Sequence, residues 1–182
     1  VTLYNLNTST GMATAVGMIG NLTNVDDLVS QVNLNLPATV AGQTIYALNA
    51  SGYLISFDSE MPSTVRTQKS ISGITAGQVV SGLDFRPATG QLYALGYNTT
   101  TGDAQLYTLN PMTAAATSVA PSVMLANGMT HISFDFNPTV DRIRITSSNG
   151  NNYRLHPTTG AIAATDGMLA FGTGDANNGA TP

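Results

Sequence analysis

SGLDFRPATGQLYALGYNTTTGDAQLYTLNPMTAAATSVAP, residues 81–121, holds four short runs of alternating apolar and polar residues separated by turn formers. Leu83–Pro87 alternates, PATG turns, and Leu92–Tyr97 alternates back. After a Thr/Gly loop, Leu106–Asn110 and Ala116–Val119 flank PMTA. A period of two between Pro, Gly, Asn and Thr breakers is the signature of consecutive β-hairpins. The plan recurs over residues 131–167, where ISFDFNP, RIRITS, NYRLHP and AIAATDG take the strand positions. Asp84 and Asp135 lie 51 residues apart, as do Pro87 and Pro138. Tyr107 and Tyr153 lie 46 apart, as do Pro111 and Pro157, because the middle loop is five residues shorter. A four-strand unit repeating at roughly 40–50 residues predicts propeller blades or stacked β-meanders.

Residues 1–20 repeat half of that unit. Leu3, Tyr4, Leu6, Asn7, Thr10, Thr14 and Val16 fall without a gap on Leu106, Tyr107, Leu109, Asn110, Thr113, Thr117 and Val119. Strands three and four of a blade therefore stand first, with no strands one and two before them. The expected organisation is an N-terminal hairpin over 1–20, a connector over 21–42 and a propeller-like β domain over 43–182. Within the connector, Val25–Val32 reads as a short helical turn capped by Asn24, and VNLNLP as an extended run stopped by Pro37. Thr44–Leu48, Tyr53–Asp58 and Val65–Ser70 are further expected strands, and Met168–Phe171 a last short one. The fold class expected is all-β, an incomplete propeller of antiparallel four-stranded blades.

Composition removes several functions. Six Lys+Arg against ten Asp+Glu, a net charge of −4, leave no basic footprint for nucleic acid. No apolar run approaches the roughly 20 residues of a membrane-spanning helix. The absence of cysteine excludes disulfides, thiolate catalysis and cysteine–metal sites. The chain starts at Val1 with no initiator Met and no signal-peptide pattern, as a processed or truncated form would.

GLDFRPATGQLYALG (82–96), FDFNPTVDRIRI (134–145), NYRLHPTTGAIAATDG (152–167) and GDANNGATP (174–182) resemble domain-of-unknown-function family 4394, a bacterial secreted domain with propeller-like repeats. The resemblance covers about residues 43–182. It implies a propeller-like fold and an extracellular location, and it supplies no catalytic residues. The family domain continues with further strands past the position matching Pro182. Its last hairpin is the one that the N-terminal half-blade resembles.

Asp84 and Asp135 occupy equivalent strand positions, in LDF and FDF. Two inward carboxylates can act as general acid and base. They can equally be structural, holding adjacent blades through backbone N–H groups or through Arg142 and Arg144. The repeat accounts for both aspartates without any chemistry, so the structural role is expected and no catalytic residue is assigned. His131 and His156 are too few for a metal site, and Asp175–Gly179 fails the spacing of a calcium loop. Neither a metal nor a cofactor is expected. Asn7, Asn21, Asn49 and Asn98 head N-x-[ST] sequons in turns, where glycans can attach.

The preferred functional expectation is a structural subunit of an extracellular fibre whose partners are copies of itself. The orphan hairpin would complete a neighbour's sheet lacking its third and fourth strands, with Leu3, Tyr4, Leu6 and Val16 at the interface. The alternative is a secreted carbohydrate- or ligand-binding propeller, monomeric, in which the hairpin closes its own ring. A propeller hydrolase or lyase ranks third.

Overall fold

The computed structural model describes residues 1–20, 27–30 and 41–180. Every regular element among them is a β-strand, and all the ladders are antiparallel. Thr2–Leu6 (β1) and Ala13–Met18 (β2) form a two-stranded sheet of their own. Asp27–Ser30 (β3), Thr44–Leu48 (β4), Tyr53–Asp58 (β5) and Met61–Ser70 (β6) pair in chain order as the first blade. Val79–Phe85 (β7), Leu92–Tyr97 (β8), Asp103–Leu109 (β9) and Ala116–Ser118 (β10) make the second, and Val123–Met124 (β11) adds to β9. Ser133–Asn137 (β12), Arg142–Thr146 (β13), Asn152–Leu155 (β14) and Ile162–Thr165 (β15) make the third. The first strands lie side by side, β7 between β3 and β12. No sheet closes into a barrel, and the three blades form an incomplete propeller-like stack.

Period-two alternation places the core between blades. In β8, Leu92 and Ala94 point to the first blade, where they meet Tyr46, Leu48 and Leu54. Tyr93, Leu95 and Tyr97 point the other way and meet Phe134, Phe136, Ile143 and Ile145 of the third blade. Both faces of β8 are buried, so the strand is apolar throughout. The tightest aromatic contact is the edge-to-face pair of Tyr93 and Phe136, with ring centroids 5.3 Å apart.

Five connections repeat one six-residue loop: Asn7–Met12, Arg86–Gln91, Asn98–Asp103, Asn110–Ala115 and His156–Ala161. In each, the first residue's carbonyl accepts the N–H of the fifth at 2.8 Å. The fifth residue has positive φ, from 58° at Ala114 to 80° at Gly102. That conformation explains Gly at four of the five loops. Thr in the fourth position accepts the sixth residue's N–H, at 3.2 Å in the Thr101 example. Asn in the first position accepts two further N–H groups, as Asn110 does from Met112 and Thr113.

Four expectations change. Asp27–Ser30 is a strand paired with β4, not part of a helical turn. Pairing with the hairpin partner of its own blade overrides the weak local helical pattern. The 21–42 stretch therefore supplies the first blade's inner strand, and VNLNLP with residues 21–26 lies outside the described residues. Met168–Phe171 is not a strand; the bond from Leu169 N–H to the Gly150 carbonyl is not continued into a ladder. Each of the three blades has four strands, so no blade among the described residues lacks its third and fourth. The hairpin cannot be completing such a gap in a copy of these blades.

Candidate assembly interface

The N-terminal hairpin has two unlike faces. Thr2 pairs with Met18, Tyr4 with Ala15 and Leu6 with Ala13, while Leu3 pairs with Gly17. Cross-strand partners share a face, so Tyr4, Leu6 and Met18 lie opposite Leu3 and Gly17. Gly17 rests on the ring of Pro62 at the start of β6: a Cβ there would stand 3.1 Å from Pro62 Cγ. Just past β2, Gly20 N–H donates to the Pro62 carbonyl at 2.9 Å. Ile19 is fully buried with Ala47, Ile55 and Phe57 on the face of the first blade turned away from the second. Leu3 packs against the same cluster.

The other face is open. Tyr4 is 57%, Leu6 58% and Met18 58% exposed, with Val16 also exposed beside the bulge between Leu3 and Tyr4. Of the four interface residues expected, Tyr4, Leu6 and Val16 are thus available to a partner. Leu3 is committed to its own chain, because strand alternation turns it toward β6. Sequence reasoning missed Ile19 and Gly17. Gly17 lies inside β2, where a residue without a side chain gives no apolar signal, and Ile19 is a lone apolar residue just past that strand.

Asp84 joins blades two and three. Its Oδ1 accepts Phe85 N–H and its Oδ2 accepts Phe136 N–H, each at 2.8 Å. Burial pushes its carboxyl up; the Phe136 N–H opposes that, nearby Asp135 adds to it, and the Phe85 N–H opposes it. Asp135 occupies the repeat-equivalent position on the third blade but is exposed. Arg142 and Arg144 hold neither aspartate among the hydrogen bonds observed. Arg142 donates to the carbonyls of Val140 and Asp141, and Arg144 donates to Asn152 and Asp166. Arg154 completes that cluster with two bonds to Asp166.

A second inter-blade link was not anticipated. Arg86 binds Asp141 through Nε at 2.9 Å and Nη2 at 2.5 Å. The guanidinium holds the Asp141 carboxyl below its ordinary value, despite an opposing effect of burial. Asp141 has φ 49°, which aims its carboxylate from the turn after β12.

The sequons differ in access. Asn7 is exposed and Asn98 half-buried, each with Oδ1 capping its own loop. Asn49 is buried, and its Oδ1 accepts the Ser51 and Tyr53 N–H groups. Asn21 lies outside the described residues. His156 caps its loop through Nδ1, as the asparagines do. His131 is exposed, with φ 48°. Asp175 Oδ1 accepts Asn177 N–H in a plain turn. Among the described residues no group of three His, Cys, Asp or Glu side chains could hold a metal, and no helix is long and apolar enough to cross a membrane.

A family model described as "Domain of unknown function (DUF4394)" matches residues 53–182. No curated protein matches significantly. Among solved structures, the computationally designed protein Ika4 is similar at a TM-score of 0.48 and 11% identity, covering 84% of this chain and 78% of that one. An oxidoreductase described as a glucose dehydrogenase, from Thermus thermophilus, is similar at 0.48 and 15% identity, covering 77% and 45%. The designed protein Ika8 is similar at 0.44 and 11% identity, covering 86% and 41%. The chain thus spans less than half the length of the last two.

Proposed function

The chain belongs to the family described as domain of unknown function (DUF4394), and we propose that it acts as a structural subunit of a self-assembling extracellular fibre. Copies join when the N-terminal hairpin of one is donated to the surface of the next. One observation carries the reading: the hairpin is held by its own chain on the Leu3–Gly17 face, while Tyr4, Leu6 and Met18 share the open one. A two-stranded sheet has unpaired edges and is marginal alone in water. Large apolar side chains grouped on its open face mark a contact surface. Donor and acceptor surfaces differ, so the contact is heterologous and propagates unless its rotation closes a ring.

Sedimentation of the full chain over a hundredfold range of concentration, with negative-stain microscopy of the heaviest fraction, tests the reading. Growth into filaments is expected, and Leu6→Asp should abolish it without moving the urea midpoint. A full chain that stays monomeric at the highest concentration overturns it. The alternative, a monomeric carbohydrate- or ligand-binding domain, draws on the contacts of Ile19 and Leu3 with their own first blade. It predicts a monomer throughout and retention on a glycan array.

A further inference from the structure

We infer that the neighbour receives the hairpin's open face in the pair of clefts flanking Val79, on the rim where β7 begins. This rests on the fibre reading and names its acceptor. One cleft, about 440 Å³, is walled by Ile71, Ile74, Val79 and Val80 together with the Asn49–Gly52 turn. The other, about 320 Å³, shares Val79 and Val80 and adds Tyr97, Met129 and Ile132. Val79 stands between them, 61% exposed. An apolar ridge between two hollows, lined by apolar side chains together with Gln78 in the first and Ser81, Thr99 and Thr130 in the second, fits a sheet face that presents several large side chains, each entering a separate hollow.

Charge supports this occupant. Residues 1–25 contain no Asp, Glu, Lys, Arg or His. The two clefts are lined by no Asp, Glu, Lys or Arg; His131 is among the residues lining the second. The third blade's outward face, by contrast, carries Arg144, Arg154 and Asp166. Seating Tyr4, Leu6 and Met18 there would strip water from that ion-pair cluster and offer it no polar partner in return, whereas the Val79 clefts hold no ion pair to desolvate. The hairpin's other face is already occupied by Pro62 of its own first blade. Donor and acceptor are therefore separate surfaces of one chain, as a head-to-tail polymer requires.

The cysteine-free chain allows a direct test. Full-length Leu6→Cys and Val79→Cys chains are mixed in equal amounts and mildly oxidised; only contact between two copies can give the mixed disulfide. Leu6→Cys mixed with Met112→Cys, whose exposed side chain lies in the Asn110 loop, is the reference pair. Trapping of the Leu6–Val79 heterodimer at least tenfold faster than the reference is expected. Equal rates, in mixtures that still sediment as oligomers, overturn the cleft and leave the fibre reading standing. Mixtures that remain monomeric overturn both. Val79→Glu, a change at an exposed side chain, should also shorten filaments while leaving the urea midpoint in place; undiminished filaments count against the clefts.

Discussion

Asp84 Oδ2 takes the backbone N–H of Phe136 at 2.8 Å, tying the inner strand of the second blade to that of the third. Asp135, its equivalent one repeat later, is exposed. The same residue in the same register therefore bonds the next blade in one case and is turned to solvent in the other. Asp84→Ala should cost about 1–3 kcal/mol, because Phe136 N–H is left buried without its acceptor. Asp135→Ala should fall within about 0.5 kcal/mol of the parent, as exposed substitutions do. Urea denaturation of the two variants checks the contrast; equal losses would show that Asp84 is not the link between blades.

The link between Arg86 and Asp141 should give stability a defined pH dependence. The Asp141 carboxyl is held below its unfolded value by the guanidinium. The stabilisation is therefore complete above the ordinary carboxylate range, and it is lost as pH falls through the folded value. Asp141→Asn removes the charge while keeping a residue type that tolerates φ near 49°. The stability gap between parent and variant should be widest near pH 7 and close on acidification below the ordinary carboxylate range. A gap that stays constant across that range would show that the ion pair contributes nothing.

Gly96 is the one position of β8 without a Cβ, and its surroundings leave no room for one. A Cβ there would stand 2.5 Å from Gln78 Oε1 and 2.7 Å from Tyr107 Cε2. Neither neighbour is free to move. Tyr107 is buried and its hydroxyl bonds Thr75, Gln78 and Gln105, while Gln78 is itself tied to Asp103. Gly96→Ala should cost about 1–3 kcal/mol by overpacking. The double variant Gly96→Ala, Gln78→Ala should recover part of the loss, which chemical denaturation would measure.

The blades are legible in the sequence because repetition and alternation report on the same strands. The 51-residue offset from Asp84 to Asp135 matches two inner strands that lie side by side, and the run at Leu92–Tyr97 is β8 to the residue. Features made by tertiary contact leave no such trace. Asp27–Ser30 becomes a strand only because β4 offers it a ladder. Asn49 heads a sequon like Asn7 and Asn98, yet it is buried, and a short N-x-[ST] pattern carries no information about that. Arg86 and Asp141 are joined across blades, a pairing that spacing along the chain does not encode.

Ile19 should decide whether the hairpin stays on its own chain. Its side chain is fully buried against Ala47, Ile55 and Phe57, and the adjacent Gly20 N–H is held by the Pro62 carbonyl. Truncation to Ala removes the buried contact while leaving the exposed Tyr4–Leu6–Met18 face unchanged. If the hairpin unfolds together with the first blade, Ile19→Ala should cost about 2–5 kcal/mol in global stability. If it detaches as a unit, the global midpoint should hold while the Gly20 amide exchanges on the order of tenfold faster or more, local opening being cheaper than global unfolding. Amide exchange read residue by residue separates the two outcomes. Gly17→Val should push in the same direction, since its side chain would meet the Pro62 ring from the hairpin side. Leu6→Ser should do neither, because Leu6 lies on the open face and is 58% exposed. An unchanged Gly20 exchange rate and an unchanged midpoint in Ile19→Ala would together show that the hairpin is not anchored at Ile19.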